Sequence, residues 1–481
     1  MIDPVDTDAG LTRPLEMDPA AALPLNARDG ATTISLTDTA AHRAQIVEGS
    51  IARAIFRLAA PAVASMLLMT VFFTADAYWV GTRIGPQGMA AVSTSVFWVW
   101  MFISVAELVS VGLTAVAARR FGERNHQLAV SAIWSAMWLA LALGVGIAIL
   151  GLLELDRMLA LMNAPADVAA LGKSYLSVYL VGAPLIFGFF AIDAAFRASG
   201  DTRTPFALLL VSVAAAVVLD PILILGIGPA PKLGIAGAAV ATIVTRGTAF
   251  VAGLVMLARR GMIKPQPISW QQVRAIVRVG LPTAATGVLF SVIYVLLTRI
   301  TTRFGTPALA AIGVGHRVES WWYMVGVGLA GAAAAIVGQN LGAREVGRAE
   351  RAGWIAMGYA SAIGVMGCVF EFIFALPLAS VFTNDAATAA EGARYLRVAA
   401  ASALFVGAEV VGEGALGGAG WTLPPMLTST AFTALRIPLA AWAAPRYGTT
   451  GIWATISITA IARGIAMALL WRSGGWKRKT V

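Results

Sequence analysis

Apolar residues run in stretches of about 20, long enough for a helix to cross a hydrocarbon core of about 30 Å, and short segments rich in Gly, Pro and Arg separate them. The runs cover residues 54–80, 92–118, 128–153, 171–197, 205–228 and 234–258, then 276–302, 309–338, 352–377, 394–417, 423–445 and 449–471. The pattern predicts an all-α integral membrane protein with twelve transmembrane helices. It also repeats. Arg53-Ala54-Ile55-Phe56-Arg57-Leu58-Ala59-Ala60-Pro61 returns 221 residues later as Arg274-Ala275-Ile276-Val277-Arg278-Val279-Gly280-Leu281-Pro282. Gly85, Ala90, Ala91 and Gly122 recur as Gly305, Ala310, Ala311 and Gly342, and Gly200-Asp201-Thr202 recurs as Gly420-Trp421-Thr422.

Six crossings return the chain to its starting side, so the second repeat enters the bilayer in the same direction as the first. The spans therefore form two parallel six-helix lobes related by a pseudo-twofold axis along the membrane normal, with the natural cavity at the seam near mid-bilayer. The expected organisation is a disordered tail over 1–50, an N-terminal lobe over 51–258, a linker over 259–273, a C-terminal lobe over 274–472 and a basic tail over 473–481.

Composition supports this reading. Of all residues 58% are hydrophobic and 12% charged, against roughly 25% charged in soluble domains. The net charge of +10 would suit nucleic acid if it were clustered on one face. Instead Arg119, Arg120 and Arg124, then Arg259, Arg260 and Lys264, then Arg344, Arg348 and Arg351, and finally Lys477, Arg478 and Lys479 fall in alternate loops and the tail. Such a distribution orients a membrane protein, so both termini are expected in the cytoplasm of a plasma membrane protein (inner membrane in a prokaryote), with the bilayer rather than nucleic acid as partner. The first 50 residues hold eight acids and three arginines without an apolar centre, unlike a secretory signal. Cys368 is the single cysteine, and His42, His126 and His316 lie far apart, so no intramolecular disulfide or dedicated zinc site is expected; separately, no cofactor is expected. An intramembrane enzyme would need a nucleophile and base pair or a metal set, and the chain offers neither.

Charge inside a span costs about 2.5–3.5 kcal/mol on insertion scales and calls for a reason. Asp76 lies in span one, Glu107 in span two, Asp193 in span four, Asp220 in span five, and Glu409 and Glu413 in span ten. Span eight carries His316-Arg317-Val318-Glu319, and span eleven carries Arg436. Two readings stay open: Arg317 or Arg436 neutralises Glu319 or Glu413 as a buried ion pair, or the acids exchange a small cation for a cationic cargo stacked on aromatic faces. Structural hydrogen bonding or capping is the alternative for Asp76 and Asp220. Three local features are equally open: Pro61 and Pro282 as hinges or ordinary early-helix prolines, residues 51–57 and 270–278 as interfacial helices or plain extensions, and the glycines from Gly407 to Gly420 as packing faces or a bend.

Taken in order, Leu58-Ala59-Ala60-Pro61, Asp76 followed by Gly81, Ala115-Val116-Ala117-Ala118-Arg119-Arg120-Phe121-Gly122, Ala198-Ser199-Gly200-Asp201-Thr202, Leu219-Asp220-Pro221, His316-Arg317-Val318-Glu319 and Val337-Gly338-Gln339-Asn340-Leu341-Gly342-Ala343 resemble the multidrug and toxic compound extrusion (MATE) family over residues 50 to 472. The resemblance implies secondary antiport, in which two lobes rock around a central cavity and export organic cations or drugs against inward protons or sodium. It places Asp76 and Asp220 on the family's N-lobe cation-binding aspartates, Tyr175 and Thr242 beside them, and Glu319 on the acidic position of span eight. Asp193, Glu409 and Glu413 complete the set of secondary cation-coupling or substrate-binding candidates.

The chain departs from some relatives. Ala216 stands where they carry an asparagine before the span-five aspartate, span seven has no acid, and Val406 occupies the acidic position of span ten. A hard cation wants several oxygen ligands whereas a proton needs one carboxylate, so the departures favour H+ over Na+. A monomer is expected to suffice. The rival within the same broad superfamily is a lipid-linked precursor flippase, which wants a basic cavity for phosphate.

Overall fold

The computed structural model describes residues 42–84, 86–161, 166–382 and 385–479; the side chains of 73–78, Asp76 included, lie outside that description. Helices α1 (Ile51–Arg83), α2 (Pro86–Gly122) and α3 (His126–Leu153) form spans one to three, and short α4 (Leu155–Leu161) follows. Span four is the pair α5 (Ala166–Val181) and α6 (Ala183–Ser199); α7 (Arg203–Leu225) and α8 (Ile235–Arg259) are spans five and six. The second lobe holds α9 (Trp270–Thr301), α10 (Thr306–Gly342), α11 (Val346–Phe382), the pair α12 (Ala386–Ala400) and α13 (Ala403–Gly418), and α14 (Leu423–Ser473).

At 1.5 Å per residue, the 51 residues of α14 would reach about 77 Å, more than twice a bilayer core. The helix is broken at Gly448, whose φ of 61° and ψ of −148° are non-helical, and it supplies spans eleven and twelve. Gly234 before α8 has nearly the same geometry, φ 57° and ψ −135°, so spans six and twelve start alike. Spans four and ten are bent, by 52° at Gly182 and by 60° at residues 401–402. With α14 counted as two, the described residues carry twelve spans, six per lobe.

The backbone repeats as the sequence does. Gly200 and Gly420 have φ of 90° and 76°, and Arg124 and Arg344, the two non-glycine residues with positive φ among those described, have φ of 60° and 63°. Both local ambiguities at the helix starts resolve to plain extension, since α1 and α9 begin at Ile51 and Trp270 and continue unbroken. Pro61 and Pro282 sit inside those helices, and their carbonyls accept from Ser65 and Thr286, each at 3.0 Å. The span-ten glycines are packing faces. A Cβ at Gly407 or Gly414 would stand 2.6 Å from the Ala360 or Ala330 carbonyl oxygen, and the bend lies before them. Within the expected tail of 1–50, residues 42–47 are helical, with Ile46 and Val47 buried, and the rest of that expectation, residues 1–41, lies outside the described residues.

The lobes interlock at the end that carries the basic loops. Span two packs on span seven, and span one on span eight. The start of span one (Ala54, Ile55, Leu58, Ala59) lies in the second lobe's apolar core, and Ile276 and Ala284 of span seven lie in the first lobe's. Glycine permits this approach. A Cβ at Gly122 would lie 2.8 Å from the Gln339 carbonyl carbon, and one at Gly342 would lie 2.9 Å from the Arg119 carbonyl carbon. These two contacts are images of each other under the repeat, and they shut the seam on the basic side.

Candidate ion and substrate site

Asp220 is fully buried on α7, directly before Pro221. Helix α7 packs on α1, the helix that carries Asp76, so the backbone makes these two aspartates' spans neighbours. Tyr175 is buried on α5 and stacks on Tyr179, ring centroids 6.3 Å apart. The hydroxyl of Thr242 on α8 donates back to the Ala238 carbonyl at 3.1 Å, which leaves its lone pairs for a neighbour. One turn further on, buried Arg246 reaches Tyr179 and Asp193 electrostatically and lies near the faces of Phe72 and Phe189. Asp193 is itself paired with Arg197 at 2.5 Å, and Arg197 donates to Ser110 at 2.9 Å.

The second lobe has its own buried polar network. The Tyr395 hydroxyl donates to Glu319 at 2.9 Å, and the Tyr395 ring meets His316 and Trp453 edge-on. Arg436, 1% exposed, donates to the Tyr294 hydroxyl at 2.7 Å and to Thr459 at 2.8 Å. Of the two open readings for spans eight and eleven, Arg436 is bonded to hydroxyls while staying within electrostatic reach of Glu319, and exposed Arg317 lies over the Phe382 ring. Arg463 of span twelve is the residue that neutralises Glu409, at 3.0 Å, and it also donates to Thr433 at 3.1 Å. Glu413 accepts from the Ser429 hydroxyl.

Between the lobes stands Tyr323 of span eight. Its side chain lies within electrostatic reach of Glu107 on one side and of Glu409, Glu413 and Arg463 on the other. Although placed among these interior groups, it is 45% exposed, so it borders open space at the seam. Asp193 and Arg197 border a crevice that Ser65 of span one and Gly328 of span eight also line, which puts that pair at the seam too. A groove of about 560 Å³ on the outside of spans four and six, lined by Leu185, Ile243, Val244 and Val251 among others, holds no ionisable group and suits lipid contact.

Sequence reading missed Arg197, Arg246, Arg463, Tyr323 and Glu371. Arg197 was legible as an i, i+4 partner of Asp193; Arg246 and Arg463 were legible as arginines inside apolar runs, each followed by glycine. Glu371, 1% exposed on span nine within reach of Glu319, was legible by the same rule that singled out the other acids.

A MatE family model matches residues 61–222 and again 282–442, one match in each lobe. A probable multidrug resistance protein NorM of Thermotoga maritima is 29% identical over 90% of this chain and 94% of its own. An FAD transporter of Shewanella oneidensis is 25% identical over 88% and 94%. A solved outward-facing conformation of a multidrug resistance MATE transporter superimposes with a TM-score of 0.83 at 25% identity, covering 90% of this chain and 98% of the other. The doubled match, the two six-span lobes and the buried charge at their seam agree, and the chain belongs to the MATE family of membrane transporters, not to an enzyme family.

Proposed function

We propose that this protein is a secondary antiporter that exports small organic cations in exchange for protons by alternating access, with both termini in the cytoplasm. The observation that carries the reading is the charge balance of the span interiors. The acids Glu107, Asp193, Asp220, Glu319, Glu371, Glu409 and Glu413 stand against the arginines Arg197, Arg246, Arg436 and Arg463. Among the described residues these seven acids outnumber the four interior arginines, which favours a cation over the phosphate that a lipid-linked precursor flippase would hold. Asp76 and Asp220 are the proposed coupling residues, with Tyr175 and Thr242 beside them. Glu319, Glu409, Glu413 and Asp193 form the secondary set. Ala216, 1% exposed four residues before Asp220, brings no side-chain oxygen, which supports protons over sodium.

A proton entering down about 100 mV and one pH unit releases about 2.3 plus 1.4 kcal/mol, and export of a monovalent cation uses about 2.3 of this. What is left supports roughly tenfold accumulation per proton. The test is export of a cationic dye from proteoliposomes under a pH gradient or a sodium gradient imposed separately. Export under the pH gradient alone, abolished in a folded Asp76→Asn variant, is the expected result. Undiminished export by that variant refutes the coupling role, and transport of an anionic flavin dinucleotide in place of the dye refutes the cargo class.

A further inference from the structure

We propose that two segments flanking the helical lobes, residues 42–50 and 475–479, form a clasp across the basic end of the seam and hold the molecule closed on that side. The inference rests on the reading that this end opens during the transport cycle.

The N-terminal strap is residues 42–50. Ile46 and Val47 are buried in the second lobe's apolar core beside Trp471 and Trp476, and Arg348 of span nine donates to the Ile46 carbonyl at 3.2 and 3.0 Å and to the Gly49 carbonyl. From that anchorage the strap reaches the first lobe. Arg43 donates to the Gly122 carbonyl at 3.2 and 3.1 Å, and Ile46 covers Gly200, where a Cβ would stand 2.7 Å from Ile46 Cδ1. Gly122 is one of the two wedge glycines of the seam itself.

The C-terminal strap has the same design. Trp476 is fully buried and stacks on Trp471 with centroids 4.0 Å apart, and Lys477 pairs with Glu350 at 2.6 Å, all within the second lobe. Its tether to the first lobe is Arg119, which donates to the Lys479 carbonyl at 2.7 Å. Arg119 supplies the other wedge contact, to Gly342. Each strap is thus rooted in one lobe and bonded to the other at a residue that forms the seam. Any movement that parts Gly122 from Gln339 or Gly342 from Arg119 must stretch these tethers as well. The bonds of both tethers go to main-chain carbonyls, so the clasp responds to displacement of the lobes rather than to the charge state of a partner.

The test reads closure directly, without substrate or ion gradient, so it does not depend on the cargo class or the coupling ion, and labelling of the parent protein itself shows whether this end opens. Ala118, fully buried at the seam beside Gly338, is replaced by cysteine in full-length protein carrying Cys368→Ser, and labelling by a membrane-impermeant maleimide is followed in inside-out vesicles. Arg43→Ala and Arg348→Ala together are expected to raise the labelling rate about tenfold through loss of several charge-assisted hydrogen bonds, with each single variant giving a smaller rise. Parent-rate labelling in the double variant, shown to be folded by gel filtration, overturns the clasp. Should the double variant not fold, Arg43→Ala alone decides, because that side chain can be removed without unseating Ile46.

Discussion

Replacing Gly342 by Ala tests the closed seam in its most economical form. The added methyl group would lie 2.9 Å from the Arg119 carbonyl carbon, with the carbonyl oxygen nearer still. Ordinary contact begins near 3.4 Å, so spans two and eight must retreat by at least about half an ångström, and both are backbone that cannot swing aside as a side chain would. Inserting one methyl group into a close-packed contact of this kind costs about 1–3 kcal/mol. The cost falls on the conformation closed at the basic end and vanishes when the lobes part, so the closed population should drop by about 5- to 150-fold relative to the open one. Spin labels at Gln127→Cys and Gly347→Cys, exposed equivalent positions just after spans two and eight, report the separation by pulsed electron resonance. A second, longer distance should appear in Gly342→Ala and in its counterpart Gly122→Ala, and the double variant should fall short of the sum, because a gap opened by one methyl group already accommodates the other. A folded Gly342→Ala protein with the parent's distance distribution refutes the reasoning.

Three further outcomes are expected. Arg463→Met leaves the Glu409 carboxylate buried without its 3.0 Å partner and should lower stability by about 3–5 kcal/mol; adding Glu409→Gln should restore most of it, and a thermal melt in detergent that shows no restoration argues against the pair. Tyr395→Phe removes the donor to Glu319 and should slow dye export several-fold with little change in melting temperature, whereas unaltered export removes Glu319 from the working set. In the turn between α6 and α7, burial pushes the Asp201 carboxyl up, but hydrogen bonds from Arg260 and Thr204 outweigh it and hold the group below its ordinary value. Its stabilising contribution is therefore full above pH about 4 and lost as pH falls through the lower folded value. Asp201→Asn should cost about 2 kcal/mol at pH 7, and parent and variant melts should converge in acid; a gap that persists there contradicts the assignment.

Span number, repeat and lobe pairing were legible in the sequence because each depends on long apolar runs or on glycines where backbones nearly touch. Gly122 and Gly342 recur because any side chain there would strike the opposite lobe. The breaks in spans four and ten left no comparable trace, since hydropathy continues unbroken through Val181-Gly182-Ala183 and Ala400-Ala401-Ser402. Arg246 and Arg463 carry little signal in the linear pattern, because the acids and rings around them come near only on folding. The strap at 42–50 hid inside a polar segment whose average composition masks Ile46 and Val47. Chemistry proved less symmetric than backbone. Asp220 has Ala440 as its counterpart and Glu319 has Val99, whereas Tyr175 and Tyr395 match, as do Asp193 and Glu413.

The bends in spans four and ten give each lobe an elbow. The inner limbs, α6 and α13, run towards the basic end, where Gly418 and Gly338 meet, while the outer limbs, α5 and α12, hang beyond the joint and carry the matched tyrosines 175 and 395. Each of these spans is two helices set at an angle, so the far side of each lobe is shaped by a different helix from the near side. The bond from Tyr395 to Glu319 fastens the outer limb of span ten to span eight on that far side, so this one hydroxyl ties two separately aimed helices together.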